Sequence, residues 1–167
     1  MKLSAQEEYG LRCLLRMASR GDEASLSIPE ISRAEALSVP NVAKLMRLLR
    51  MAGFVKSVRG QAGGYTLAKP AKQIYLGDVL ESLGGKLFGA KFCVRHSGLN
   101  LVCVHNPDCS LRSLWIALQA MFERVLLNVT LADLLQSEGS MQDFLESRNR
   151  TLIMPEPVMD KAASIVS

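Results

Sequence analysis

The chain of 167 residues lacks any long apolar run. No stretch approaches the ~18 consecutive apolar residues that a membrane-spanning helix needs. Residues 1–8 include charged side chains where a secretory signal would be apolar. These absences predict a cytoplasmic protein with no membrane association. In that reducing compartment, clustered thiols favour metal binding or redox chemistry over structural disulfides.

Acidic residues are absent from one internal region. Residues 36–77 contain no Asp or Glu, although the whole chain carries 16 acidic and 20 basic residues. The same region contains several basic residues: Lys44, Arg47, Arg50, Lys56, Arg59, Lys69 and Lys72. A basic segment attached to a nearly neutral remainder is typical of a nucleic-acid-binding protein. The alternative is a basic surface that contacts only water.

Serine precedes each of three helices predicted at the start of the chain. They span about residues 4–19, 27–36 and 38–52, and Gly53 ends the third. The second and third are joined by a tight turn, which is the helix-turn-helix arrangement. The predicted fold is therefore mainly α with a small β-wing: a winged helix-turn-helix domain plus a long dimerisation helix.

The third predicted helix has one apolar face and one basic face. Its core stripe is Val42, Leu45, Met46 and Leu49, and the opposite face carries Pro40, Lys44, Arg47 and Met51. A helix with a basic outer face can enter the major groove with its N-terminal residues nearest the bases. We therefore predict that double-stranded DNA is contacted by Ser38, Pro40, Asn41, Lys44 and Arg47. For each side chain, simple solvation is the alternative.

A basic hairpin follows this helix and predicts a wing. Residues 54–59 and 65–68 have the composition of strands, and the glycine-rich turn between them supplies residues able to adopt positive φ. Arg59 and Gln61 at the tip are predicted to contact the DNA backbone or the minor groove. A phosphate-binding loop is a weaker interpretation, because this turn does not open a helix.

Three of the four cysteines, Cys93, Cys103 and Cys109, lie in a predicted loop over residues 89–109. Clustered thiolates are typical ligands of zinc and of iron-sulfur clusters, but both usually need four protein ligands. Within the loop, His96, His105 and Asp108 are candidates for the fourth position. Zinc without a sensing role and a cluster-free thiol redox switch stay open as alternatives. No Cys-x-x-Cys motif or nucleophile-base pairing indicates catalysis, so an enzyme is not expected.

A long amphipathic helix is predicted after the loop, over residues 110–129. Its apolar positions keep a single face along most of its length. We predict that this face packs against a second copy in a homodimer that binds a palindromic operator. Packing against the first helix of the same chain is the alternative. The predicted organisation is thus residues 1–77 for DNA binding, 78–138 for linker helix, loop and dimerisation, and 139–167 as an accessory tail.

Four segments carry a resemblance to a known family. They are Leu3-Ser4 with Glu8-Tyr9-Gly10-Leu11-Arg12, the wing from Ser57 to Leu67, the cysteine loop, and Thr130-Leu131-Ala132-Asp133-Leu134. In this order they resemble the Rrf2 family of bacterial winged-helix regulators, over roughly residues 1–137. The resemblance implies a dimeric repressor or activator, with repression the more expected role here, whose DNA affinity changes when an iron-sulfur cluster is gained, lost or oxidised.

The resemblance also implies site residues. By position, Cys93, Cys103 and Cys109 would be the cluster ligands. Family members that sense nitric oxide place an aspartate at the position of Glu8, which implies Glu8 of the partner subunit as the fourth ligand. Its alternative is an ion pair with Arg12 one turn along the same helix. The chain departs from the family in a longer gap between the first two cysteines, and no histidine follows the third closely. Cys13 is predicted to be buried packing.

Overall fold

The structure is a computed structural model that describes residues 3–60, 63–86, 88, 92–99 and 102–153. The chain divides into two units, Met1–Leu135 and Gln136–Ser167. The first unit contains the helix-turn-helix, the hairpin and the cysteine loop. The second contains one helix, α7 (Glu138–Ile153). This helix lies where the sequence indicated only an accessory tail.

Three helices open the first unit: α1 (Ala5–Ala18), α2 (Ile28–Glu35) and α3 (Val39–Met51). Two of the predicted caps form as reciprocal capping boxes, in which Ser4 pairs with Glu7 and Ser27 with Glu30. The third differs. Ser38 occupies the N-cap position of α3, but its hydroxyl makes no capping hydrogen bond. Proline in the first turn favours the start of α3, because its fixed φ suits a helix.

The wing is a two-stranded antiparallel sheet of β1 (Val55–Val58) and β2 (Gly64–Leu67). Leu26 extends it, since its backbone N–H and C=O each bond to Tyr65 at 2.9 Å. Helices with this small sheet confirm the predicted winged-helix class.

The core lies where α1, α2, α3 and the hairpin meet. It includes Leu14, Met17, Ile31 and Leu45, all at most 1% exposed. The next helix, α4 (Leu76–Gly84), adds Val79 and Leu83 to the same core. Gly10 permits this packing, because a side chain there would collide with Leu83.

The cysteine segment is more structured than predicted. Its expected loop contains a short helix, α5 (Phe92–Arg95). The long helix is α6 (Ser110–Leu126), which ends three residues before the predicted boundary. After α6 the chain forms a 3₁₀ turn (Asp133–Leu135), which is capped by the hydroxyl of Thr130.

Backbone hydrogen bonds connect the segment after α6 to residues 74–76, where α4 begins. Leu76 donates to the carbonyl of Val129 at 2.9 Å, and Leu131 donates to that of Ile74 at 2.8 Å. Of the helices that the structure describes, none is long and apolar enough to cross a membrane.

Candidate nucleic-acid interface and cysteine site

The outer face of α3 is exposed, as the sequence predicted. Pro40, Lys44 and Arg47 are exposed and Asn41 is half-buried, whereas Val42 on the opposite face is fully buried. In the part of the chain that the structure describes, neither Lys44 nor Arg47 is paired with an acidic side chain. Their charges are therefore free to meet phosphate or base edges.

The turn before α3 is fixed by contacts that the sequence did not reveal. Ala36 adopts the left-handed conformation at φ 53°. Ser32 accepts a backbone hydrogen bond from Leu37 at 3.0 Å, and its hydroxyl donates to the carbonyl of Leu37 at 2.5 Å. Arg12 donates from Nη2 to the carbonyl of Glu35 at 2.7 Å. These bonds set the angle at which α3 leaves α2.

Arg12 and Arg16 both pair with the Glu35 carboxylate, at 3.1 and 2.8 Å. The alternative sequence interpretation, which paired Arg12 with Glu8, is therefore wrong. The two arginines lie 23 and 19 residues from Glu35 in the chain. No local spacing rule could have found a pair of such separation.

The wing presents Lys56, Ser57 and Arg59 to solvent. As on α3, the described residues include no acidic partner for Lys56 or Arg59. Gln61, the other predicted wing contact, lies outside the described residues. Arg59, the cation that is predicted to contact DNA from the wing, is therefore exposed on the hairpin.

The three clustered cysteines are free thiols, each half-buried. Cys93 lies on α5, Cys103 lies in the loop, and Cys109 is the N-cap residue of α6. Cys93 and Cys103 line one cavity of about 520 Å³, and Cys109 is not among the residues that line it. Among the described residues, no three Cys, His, Asp or Glu side chains lie close enough together to hold a metal ion.

Aromatic rings pack beside this cavity. Phe88 stacks on Trp115 at 5.0 Å between ring centroids, and Phe92 stacks on His96 at 4.3 Å. The Nδ1 atom of His96 donates to the carbonyl of Phe92 at 2.8 Å, which leaves Nε2 available for a ligand. His105 and Asp108, the other candidates in the loop, are exposed.

Glu8 lies in the first turn of α1 and is exposed. The neighbouring Glu7 is buried, and its carboxylate completes the capping box with Ser4. Within the described chain, the Glu8 carboxylate has neither a hydrogen bond nor an ion pair. It is therefore available to a partner outside this subunit.

The donor set fits an iron-sulfur cluster by its chemistry. Such clusters are held mainly by thiolates, and three free thiols lie in one segment with two of them on one cavity. The described geometry does not bring the third thiol or a fourth donor to that cavity.

The sequence model of the Rrf2 family, described as an iron-dependent transcriptional regulator, matches residues 3–137. The chain belongs to the Rrf2 family. The transcriptional regulator NsrR of Geobacillus kaustophilus is 34% identical over 149 residues, which cover 89% of this chain and 99% of that protein. These relationships confirm the family predicted from the four segments.

Two solved structures support the same fold. IscR of T. potens is 32% identical, with a TM-score of 0.65 over 89% of this chain and 91% of that one. CymR of B. subtilis, described as the global cysteine regulator, is 30% identical, with a TM-score of 0.66 over 81% of this chain and 96% of that one. This Rrf2 protein is therefore a transcriptional regulator of a DNA-binding family, and its named relatives are not enzymes.

Proposed function

We propose that this Rrf2 regulator represses transcription and senses iron, nitric oxide or redox state through an iron-sulfur cluster bound by Cys93, Cys103 and Cys109. The observation that carries the proposal is the shared cavity of Cys93 and Cys103 beside the N-terminus of α6, where Cys109 lies. Thiolates are the usual ligands of such clusters. When bound, the cluster supplies a centre that signals can oxidise, modify or remove.

The fourth ligand in this proposal is Glu8 of a second copy of the chain. Its support is the exposure of Glu8 and its lack of a partner among the described residues. A carboxylate binds iron less tightly than a thiolate does, so this position would exchange most readily. His96 and His105 are the rival ligands within the loop.

The proposal extends to DNA. The residues Ser38, Pro40, Asn41, Lys44 and Arg47 would meet the major groove, and Arg59 and Gln61 of the wing would meet the backbone or minor groove. Two such surfaces, related by the two-fold axis of a homodimer, would match a palindromic operator. Glu8 lies on α1, the helix from which Arg12 bonds to Glu35 at the end of α2, and this contact would give cluster chemistry a physical route to the recognition helix.

The cluster is tested by anaerobic purification followed by visible absorption and assays of iron, sulfide and zinc. We expect iron and sulfide in the wild type, their loss in Cys103→Ser, and their retention in Cys13→Ala, because Cys13 is buried in the core. Stoichiometric zinc in a colourless protein would instead support a structural zinc site. Loading unchanged by Glu8→Ala would reject Glu8 as a ligand.

A cysteine-based switch is the second candidate. It is favoured by the likeness to the global cysteine regulator of B. subtilis and by the two thiols on one cavity. This function predicts a metal-free protein in which oxidation links two of the three clustered cysteines. Peptide mapping without reduction, after exposure to mild oxidant, would reveal that linkage.

DNA binding is tested by replacing single exposed cations. Lys44→Ala and Arg59→Ala should each weaken binding, and each should lower the slope of log affinity against log salt by about one if it meets one phosphate. Arg124→Ala, an exposed cation on α6, is the matched control and should leave the slope unchanged. An Arg59→Ala variant that behaves like the control would place the wing away from DNA.

A further inference from the structure

Arg112 lies at the junction of the cysteine loop and α6. It belongs to the first turn of α6 and is half-buried. Its backbone N–H donates to the carbonyl of Cys109 at 3.1 Å. Its side chain lines the cavity that Cys93 and Cys103 share. Arg112 thus contacts Cys109 through its backbone and lines the cavity that Cys93 and Cys103 share.

The guanidinium group of Arg112 ties the loop to the helix. Nη2 donates to Oδ1 of Asn106 at 3.0 Å, and Nη1 donates to the carbonyl of Pro107 at 3.3 Å. The backbone N–H of Asn106 in turn donates to the carbonyl of Cys103 at 3.0 Å. Because the guanidinium is planar and presents its donors as a rigid fork, it restrains both loop residues at once. The segment between Cys103 and Cys109 is therefore fixed to α6.

Arg112 also determines the charge of the site. Among the described residues that line the cavity, it is the one with a formal charge. No acidic side chain pairs with it in the part of the chain described. An arginine stays protonated and offers no lone pair to a metal. It therefore keeps its positive charge beside the thiols and is excluded as a fourth ligand.

We infer that Arg112 is a positioning residue of the sensor, which holds the 103–109 segment against α6 and compensates the negative charge of a thiolate-bound cluster. This inference rests on the proposed iron-sulfur function. The net charge around a cluster and the hydrogen bonds near it set its reduction potential. A nearby cation favours the reduced, more negative state, so Arg112 should raise that potential.

Two substitutions separate the roles of Arg112. Arg112→Gln removes the charge, whereas Arg112→Lys keeps the charge but loses the planar fork. In the reconstituted protein, redox titration followed by absorption should give a more negative potential for Arg112→Gln and a potential near that of the wild type for Arg112→Lys. Equal potentials in the wild type and Arg112→Gln would overturn the charge role.

The positioning role is measured without any cluster. In the reduced apoprotein, amide hydrogen exchange over residues 102–109 should become about threefold to tenfold faster in both variants, because both lose the paired hydrogen bonds. Arg124→Gln, which removes an exposed charge further along α6, is the matched control and should change neither measurement. Unchanged exchange in both Arg112 variants would overturn the positioning role.

The two proposals fail in different ways. A wild-type protein that binds neither iron nor sulfide would reject the sensor function and the charge role, while the exchange experiment still decides the positioning role. If the wild type binds a cluster, but both Arg112 variants have the reduction potential and the amide exchange rates of the wild type, this inference alone is rejected.

Discussion

The four cysteines lie in two different environments. Cys13 lies on α1 and is fully buried in the hydrophobic core. Cys93, Cys103 and Cys109 are half-buried in the cysteine loop and at its ends. Burial raises the pKa of the Cys13 thiol to about 12, and the carboxylate of Glu35 adds to the increase. Because the raised pKa favours the neutral form, Cys13 stays a protonated thiol through neutral pH.

Selective alkylation tests this contrast. At pH 8, a pKa of about 12 leaves roughly one Cys13 thiol in 10,000 as the reactive thiolate. Iodoacetamide should therefore modify the three loop cysteines of the reduced apoprotein and leave Cys13 intact, as read by peptide mass spectrometry. In urea all four should react. Modification of native Cys13 as fast as Cys103 would contradict its burial.

Other contacts show the limit of sequence reasoning for single residues. The burial of Cys13 followed from helical spacing, since it repeats with the core face of α1. The ion pair of Arg12 did not follow from helical spacing, because its partner Glu35 comes close only after the chain has turned back. Likewise, the apolar pattern of α1 could not show that Glu7 is held by its capping box while Glu8 is exposed.

Among the elements, the hairpin depends on one close backbone approach. A Cβ atom at Gly64 would lie 2.5 Å from the carbonyl oxygen of Leu26 and 2.9 Å from the nitrogen of Ser27. Both obstacles are backbone atoms, so neither can rotate away. The backbone pairing of Leu26 with Tyr65, which extends the two-stranded sheet, therefore requires glycine at position 64.

Gly64→Ala should destabilise the protein by about 1–3 kcal/mol, because the strand must move away from Leu26 or lose its hydrogen bonds. Urea unfolding followed by circular dichroism measures the change. Gly139→Ala is the control, since nothing lies within 4 Å of a Cβ there and alanine favours the helix of α7. Equal unfolding midpoints for the two variants would show that the hairpin tolerates a side chain.

The elements were predictable where their signals are local. Capping serines, the apolar stripe of α3 and the glycine-rich turn identified the first three helices and the hairpin. The short α5 was missed, since four residues carry no readable period and the contact of its Phe92 with Trp115, at 6.2 Å between ring centroids, joins residues far apart in the chain. The helix α7 was missed because its apolar residues are sparse, as the polar run from Ser137 to Ser140 shows.

At the scale of the whole molecule, a few backbone hydrogen bonds in the first unit connect the end of α6 to the chain that follows the wing. The segment after α6 pairs with residues 74–76, which lead from the wing into α4. A displacement of α6 would therefore be transmitted to the chain that follows the wing. Chain order alone could not show this connection, because its two sides lie more than 50 residues apart.

The face of α6 is the strongest indication of an assembly. Leu111, Leu114 and Met121 lie on one side of the helix and are 53%, 49% and 57% exposed. Exposed apolar side chains in a row on a long helix are typical of a surface that another chain covers. The proposed homodimer would bury them.

Introducing charge on this face should dissociate the dimer. Leu114→Glu and Met121→Glu each place a carboxylate where an apolar contact is expected, and burying an unpaired charge is strongly unfavourable. Sedimentation velocity should give the mass of two chains for the wild type and of one chain for the variants, with unchanged helical content. Ser113→Glu, whose side chain lies about 100° around α6 from that of Leu114, is the matched control and should stay dimeric. A wild type that sediments as a single chain would reject the homodimer, and with it the assignment of Glu8 as a ligand between subunits.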